Sequence, residues 1–136
     1  MTVKKILVID DEEGFCRGIK KTLETRKSFI DRFLRRGGNQ APYEFQVLMA
    51  HNGDTGIQMA KQEKPDCILL DIVMPGMSGA EVAEELLSYP STASIPIIFV
   101  TSIIKDDETG DMGGRIFVAK PVVIEDLVRK IHSVLS

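Results

Sequence analysis

Five residues whose side chains can take part in chemistry stand at the ends of short apolar runs. They are Asp10, Asp11, Asp71, Thr101 and Lys120. Carboxylates that lie close together repel one another, and burial adds a desolvation penalty for each charge. A hard divalent cation removes that repulsion, and Mg²⁺ is commonly bound by one or two carboxylates together with water and phosphate oxygens. If these residues meet in the fold, they form a site for a divalent cation and a phosphate group.

Each of these residues also has an ordinary structural role when it is taken alone. Either Asp10 or Asp11 could cap the first helix, Thr101 could end a strand, and a lysine at a strand end is usually solvated. Only their occurrence together favours a site. Whether they meet depends on the strands and helices that position them.

The apolar runs before these residues have the length and composition of β-strands. The segments are 3–10, 45–50, 66–71, 95–101 and 115–120. Between them, apolar residues such as Phe15, Ile19 and Leu23 recur at helical spacing. Strands of near-continuous apolar residues are covered on both faces, so the pattern predicts an α/β fold with a doubly wound parallel sheet, βα repeated five times. In such sheets, ligands bind beyond the carboxyl ends of the strands.

Length and composition bound the class of protein. The chain of 136 residues with 43% hydrophobic residues predicts a single domain over 1–136. A net charge of -3 gives no general attraction to nucleic acid. Cys16 and Cys67 have no metal-ligand spacing and lie in apolar surroundings, which predicts two reduced core thiols. No apolar stretch is long enough for a signal peptide or a membrane span, so we expect a cytoplasmic protein.

Four separated motifs end the strands that carry the candidate site. "VIDDEE", "LLDIVMPGMSG", "FVTS" and "VAKP" follow one another in this order. Together they resemble the receiver domain of two-component response regulators, and the resemblance covers nearly the whole chain. It implies a flavodoxin-like strand order of 2-1-3-4-5. It also implies that Asp71 accepts a phosphoryl group from a phosphohistidine on a sensor histidine kinase or phosphotransfer protein, and that the switched domain controls a downstream protein or effector domain.

The resemblance also assigns the ligands of a Mg²⁺ ion. They would be the side chains of Asp10, Asp11 and Asp71 and the backbone carbonyl of Val73, with one of the first two aspartates acting through water. Glu12 and Glu13 are left for the first helical turn, where negative charge suits the helix dipole.

Lys120 and Thr101 would contact the phosphoryl oxygens, Lys120 through its charge and Thr101 through its hydroxyl after its loop moves inward. Pro121 is expected to follow a cis peptide bond. Phe117 is either a switch residue that fills the space Thr101 leaves or simply a core phenylalanine of its strand. Val73 and Ile103, both apolar, are hypothesised to shield the acyl phosphate from water. In "MPGMSG", Ser78 is predicted to cap the next helix.

Two stretches depart from the family pattern. Residues 24–45 are longer than usual and predict an extended first helix with an amphipathic, basic tip. The apolar residues of that tip are Phe29, Ile30, Phe33 and Leu34. They could fold against their own domain, contact a partner or a second copy of the chain, or bind an acidic membrane or nucleic-acid surface. After Thr101, the glycine-rich and acidic stretch predicts a shortened fourth helix.

Two other functions remain open at this point. An interaction module could keep the fold without phosphorylation. A Mg²⁺-dependent aspartyl phosphatase is disfavoured. Such enzymes have a D-x-D motif after the first strand, whereas Asp10 and Asp11 are adjacent in this sequence. The leading interpretation is a phosphoacceptor domain whose only catalysis is its own phosphorylation and dephosphorylation.

Overall fold

The computed structural model describes residues 2–25, 43–103, 110–112 and 115–135. The strands are β1 (Thr2–Ile9), β2 (Tyr43–Ala50), β3 (Cys67–Leu70), β4 (Ile97–Thr101), β5 (Gly110–Met112) and β6 (Arg115–Ala119). The helices are α1 (Glu13–Thr25), α2 (Gly53–Glu63), α3 (Gly79–Ser88) and α4 (Ile124–Leu135). None of these helices combines the length and the apolar character needed to cross a bilayer.

The five predicted strands form one parallel sheet in the order β2-β1-β3-β4-β6. This confirms the doubly wound α/β fold with strand order 2-1-3-4-5. The second half of β1, residues 6–9, is apolar at every position because both of its faces are covered. Ile6 and Val8 pack into the core cluster shared with α1 and α4, whereas Leu7 and Ile9 pack against α2 and α3. A strand with helices over both faces has no solvated side for polar residues.

After Thr101 the structure describes residues 102–103 and 110–112, so most of the stretch predicted as a shortened fourth helix lies outside the described residues. Gly110–Met112 forms the short strand β5, which pairs antiparallel with β6, so the described part of this stretch is extended rather than helical. Glycine is a poor helix former, and the free edge of β6 offers backbone hydrogen bonds. Residues 104–109 and 113–114 lie outside the described residues, as does the extension of the first helix with Phe29, Ile30, Phe33 and Leu34.

The loop after β3 has a sequence suited to its close turns. Gly76 adopts a positive φ of 75°, which glycine tolerates without steric penalty. A Cβ on Gly79 would collide with the carbonyl oxygen of Asp71, so only glycine fits there. Ser78 caps α3, and its side chain and that of Glu81 form a reciprocal capping box. The predicted N-cap is therefore confirmed. The N–H of Gly79 donates to the carbonyl oxygen of Ile72 at 2.8 Å, which ties the start of α3 to the residue after Asp71.

The outer edge of β2 is covered by side chains of α1. The Nζ atom of Lys20 donates to the carbonyl oxygen of Val47 at 2.8 Å, and the backbone N–H of Val47 donates to Oε2 of Glu24 at 2.7 Å. Lys20 also donates to the same Oε2 at 2.9 Å. Both backbone groups of an edge-strand residue are thus hydrogen-bonded, which blunts an otherwise open edge.

Candidate functional site at the carboxyl edge of the sheet

The carboxyl ends of the parallel strands place the predicted residues at one edge. Asp10 follows β1 and is 1% exposed, and Asp71 follows β3 and is 6% exposed. Thr101 is the last residue of β4 and is fully buried, and Lys120 follows β6. Buried carboxylates need partners, and the sheet brings them together with a lysine.

Lys120 is the cation of this edge. Its Nζ atom lies 2.7 Å from Oδ2 of Asp10, 2.7 Å from Oε1 of Glu12 and 3.7 Å from Oδ2 of Asp71. It also lies 4.2 Å from the centre of the Phe15 ring. The bond between Lys120 and Pro121 is cis, as expected. Among the residues that the structure describes, one ammonium group therefore faces three carboxylates, which leaves an excess of negative charge.

The environment shifts the pKa values of the two most closely paired groups. Burial raises the pKa of the Asp10 carboxyl, and this outweighs the hydrogen bonds from Lys120 and the backbone of Glu12, which lower it. For Lys120, burial lowers the pKa, but the hydrogen bonds to Asp10 and Glu12 and the nearby negative charges together raise it. Lys120 is therefore firmly charged, and the surroundings of Asp10 disfavour its own charge.

Asp71 holds an unsatisfied acceptor. Its Oδ1 atom is buried and has no hydrogen-bond partner among the residues described. Carboxylate oxygens of Asp10, Glu12 and Asp71 all lie within 4.8 Å of one another. A buried acceptor without a donor is unfavourable, and a hard cation such as Mg²⁺ takes carboxylate oxygens as ligands. The residues present therefore fit a divalent cation.

Glu12 is the member of this cluster that sequence reasoning missed. Its sequence context predicts a place in the first helical turn, but α1 begins at Glu13, and the side chain of Glu12 turns toward Lys120. Asp11, predicted as a metal ligand, is exposed and does not belong to the cluster. The four consecutive acidic residues gave no signal of which side chain faces inward, since that depends on the residue at which α1 begins.

The residues assigned to the switch lie on β4 and β6. The Thr101 hydroxyl oxygen accepts a hydrogen bond from the backbone N–H of Ile103 at 3.4 Å. The Phe117 ring, half-buried, stacks on Phe99 with 5.2 Å between ring centres. Val73 and Ile103 expose more than half of their side chains on the loops after β3 and β4. Their exposure leaves both free to contact a group bound at this edge.

Of the two cysteines, Cys16 contacts the site, because its Sγ donates to the carbonyl oxygen of Asp10 at 3.4 Å. Cys16 and Cys67 are free and buried, as predicted. Burial raises the pKa of each thiol to about 12, so the reactive thiolate is scarce at neutral pH.

A groove opens beside the cluster, between α1 and the start of α4. Its volume is about 600 Å³. Phe15, Ile19, Val122 and Ile124 give it apolar walls, and Lys120 lines it as well. A second molecule seated there would reach the polar cluster across an apolar surface.

Comparisons with known proteins agree with this arrangement. The sequence family described as "Response regulator receiver domain" matches residues 32–132. The chain is 44% identical over 96 residues to Protein PilH of Pseudomonas aeruginosa, covering 67% of this chain and 78% of PilH. It is 33% identical over 137 residues to the probable transcriptional regulator ycf27 of Guillardia theta, covering 98% of this chain but only 46% of that protein. The chain thus spans about half the length of that regulator.

Solved structures show the same fold. Chemotaxis protein CheY4 of Vibrio cholerae superposes with a TM-score of 0.70 at 21% identity, covering 98% of this chain and 100% of that one. The N-terminal domain of a response regulator receiver protein from Methanoculleus marisnigri gives a TM-score of 0.63 at 27% identity, covering 97% of this chain and 96% of that one. The family match covers most of the chain, and the relatives extend it through β1. This chain belongs to the response regulator receiver domain family.

Proposed function

We propose that the chain is a phosphoacceptor switch in which Asp71 accepts a phosphoryl group in a Mg²⁺-dependent reaction. The donor would be a phosphohistidine on a sensor histidine kinase or phosphotransfer protein in the cytoplasm. The proposal rests on the buried Oδ1 atom of Asp71, which has no hydrogen-bond partner among the described residues and lies beside a charged lysine and two further carboxylates. Family membership supports the same role, since receiver domains act in two-component signalling.

The reaction needs a nucleophile and compensation of negative charge. An Asp71 oxygen attacks phosphorus, the new O–P bond forms as the P–N bond of phosphohistidine breaks, and the imidazole nitrogen keeps the electron pair. Catalysis of phosphoryl transfer rests mostly on positioning and electrostatic stabilisation. A Mg²⁺ ion held by Asp10, Asp11 and Asp71 and by the backbone carbonyl of Val73 would neutralise charge on the phosphoryl oxygens.

Residues of this chain supply the rest. Lys120 lies 3.7 Å from Oδ2 of Asp71, close enough for its ammonium group to turn toward a phosphoryl oxygen. Thr101 can donate its hydroxyl hydrogen to another phosphoryl oxygen once its loop moves. The apolar groove lined by Lys120 and Glu12 offers a donor protein a surface at the edge of the cluster. Phe117, stacked on Phe99, would then turn and transmit the change to a downstream partner.

Incubation with acetyl phosphate and Mg²⁺, followed by intact-mass measurement, tests this proposal. We expect one added phosphate that hydroxylamine removes and that Asp71→Ala and EDTA each abolish. Asp54→Ala, which removes an exposed carboxylate of α2, is the matched control and should still take up phosphate. An adduct that persists in Asp71→Ala would refute Asp71 as the acceptor. No adduct in the unmodified chain would favour an interaction module that works without phosphorylation.

The exposed apolar side chains of Val73 and Ile103 are assigned to the lifetime of the phosphorylated state. Val73 lies in the loop after Asp71 and Ile103 in the loop after Thr101, where they would keep attacking water from the acyl phosphate. Val73→Asn with Ile103→Glu should therefore speed hydrolysis, measured as decay of the added mass after the donor is removed. An unchanged decay rate would contradict this role.

A further inference from the structure

Glu12 has a fixed backbone and a movable side chain. Its N–H donates to Oδ1 of Asp10 at 2.9 Å, and its carbonyl oxygen accepts from the N–H of Cys16 at 3.1 Å. These two bonds hold the residue between the end of β1 and the start of α1. Its side chain is nevertheless 63% exposed, so solvent can reach the carboxylate.

The carboxylates around Lys120 share its ammonium group unequally. Asp10 and Glu12 each make a contact of 2.7 Å, whereas Asp71 is 1 Å further away, at 3.7 Å. Of the two close partners, Asp10 is almost fully buried, and its Oδ1 is also engaged by the backbone. The Glu12 contact is therefore the one that can open without a rearrangement of the core.

We propose that Glu12 is a positioning residue that holds Lys120 beside Asp10 and away from Asp71, so that this contact must open before Lys120 can assist phosphoryl transfer. The inference rests on the proposed function. In this role Glu12 slows phosphorylation by holding Lys120. Such a role differs from that of a cation ligand. A group that only bound the cation would promote the reaction, whereas a restraint slows it.

The contact itself can be measured without Mg²⁺ or a phosphate donor. Trace labelling of amines with acetic anhydride, quantified by mass spectrometry, gives the rate at Lys120 relative to the exposed Lys64. Because an exposed ion pair contributes little, Glu12→Gln should raise this ratio by about two- to fivefold. Glu13→Gln removes the same charge one residue later, where the carboxylate faces His51 instead, and should leave the ratio unchanged. Equal ratios in Glu12→Gln and the unmodified chain would overturn the proposal.

The rate of phosphorylation distinguishes a restraint on Lys120 by Glu12 from a general effect of negative charge near the site. In the acetyl phosphate assay at saturating Mg²⁺, Glu12→Gln should raise the rate at saturating donor by about two- to fivefold, in keeping with the labelling ratio. Glu13→Gln should alter at most the donor concentration needed for half-maximal rate. A saturating rate that stays unchanged or falls in Glu12→Gln would overturn the restraint, because Glu12 would then be neutral or helpful. If the unmodified chain takes up no phosphate, the proposed function fails, while the labelling ratio still decides whether Glu12 holds Lys120.

Discussion

The clusters around Lys120 and Lys20 combine lysine and carboxylate in opposite ways. At the outer edge of β2, Lys20 faces one carboxylate, and both groups also bond the backbone of Val47. At the carboxyl edge of the sheet, Lys120 faces three carboxylates, and one buried oxygen of Asp71 has no partner in the described part of the chain. Counted over the described residues, the first cluster is balanced in charge and hydrogen bonds, and the second has an excess of both negative charge and acceptors.

This difference separates a structural cluster from a functional one. A balanced cluster stabilises the chain on its own, because every charged group is compensated when the protein folds. An unbalanced cluster is stabilised only when a cation or another donor arrives, and it weakens the empty fold. Removing a carboxylate should therefore have opposite effects on stability in the two places.

The larger effect is expected at the balanced cluster. Glu24→Gln keeps one acceptor oxygen but loses the charge that Lys20 and the N–H of Val47 share, so the free energy of unfolding should fall by about 1–2 kcal/mol. Urea unfolding at neutral pH measures this. Glu63→Gln is the control, because its ion pair with Lys5 is exposed, has a distance of 3.3 Å and should contribute less than about 1 kcal/mol. Equal losses of unfolding free energy in the two variants would show that the hydrogen bond between Glu24 and Val47 adds no stability.

The smaller effect, of opposite sign, is expected at Asp10. Its pKa is raised by burial, so the folded state binds a proton more readily than the unfolded state, and stability falls as pH rises from the unfolded toward the folded pKa. Asp10→Asn avoids that loss and should raise the free energy of unfolding at pH 7, by less than the change expected at Glu24.

The sign of the Asp10 effect can be checked against pH. Urea unfolding in EDTA should show the gain of Asp10→Asn at neutral pH. The gain should disappear below the ordinary aspartate pKa of about 4, where Asp10 is protonated in both states. A variant that is less stable than the unmodified chain at pH 7 would mean that the pair with Lys120 outweighs burial, and the contrast between the two clusters would fail.

Much of the fold and part of the site follow from local sequence. The continuous apolar strands predict a sheet covered on both faces, and the parallel order then brings Asp10, Asp71 and Lys120 to one edge. The roles of these residues, and the domain bounds of 1–136, stay predictions. Ser78 was predictable because a cap depends only on its own neighbours along the chain.

What the sequence does not reveal depends on tertiary detail. The approach of Glu12 to Lys120 depends on the start of α1 and on a residue more than a hundred positions away. The pairing of β5 with β6 is a contact between strands, and the glycines around it carry no apolar alternation that would predict a strand. The periodicity of apolar residues predicts which face of a helix or strand is buried. It does not predict the contact between Glu12 and Lys120 or the pairing of β5 with β6.

The antiparallel pairing of β5 also has a consequence for how the domain can move. Gly110 pairs with Phe117, and Thr101 pairs with Ala119 on the other side of the same strand. The chain leaving Thr101 therefore returns, over a short connection, to the strand that carries Phe117. The backbone of β6 is therefore hydrogen-bonded to β4 on one side and to β5 on the other. Sliding β6 along its neighbours would break both ladders of hydrogen bonds at once, whereas rotation of the Phe117 ring would break neither.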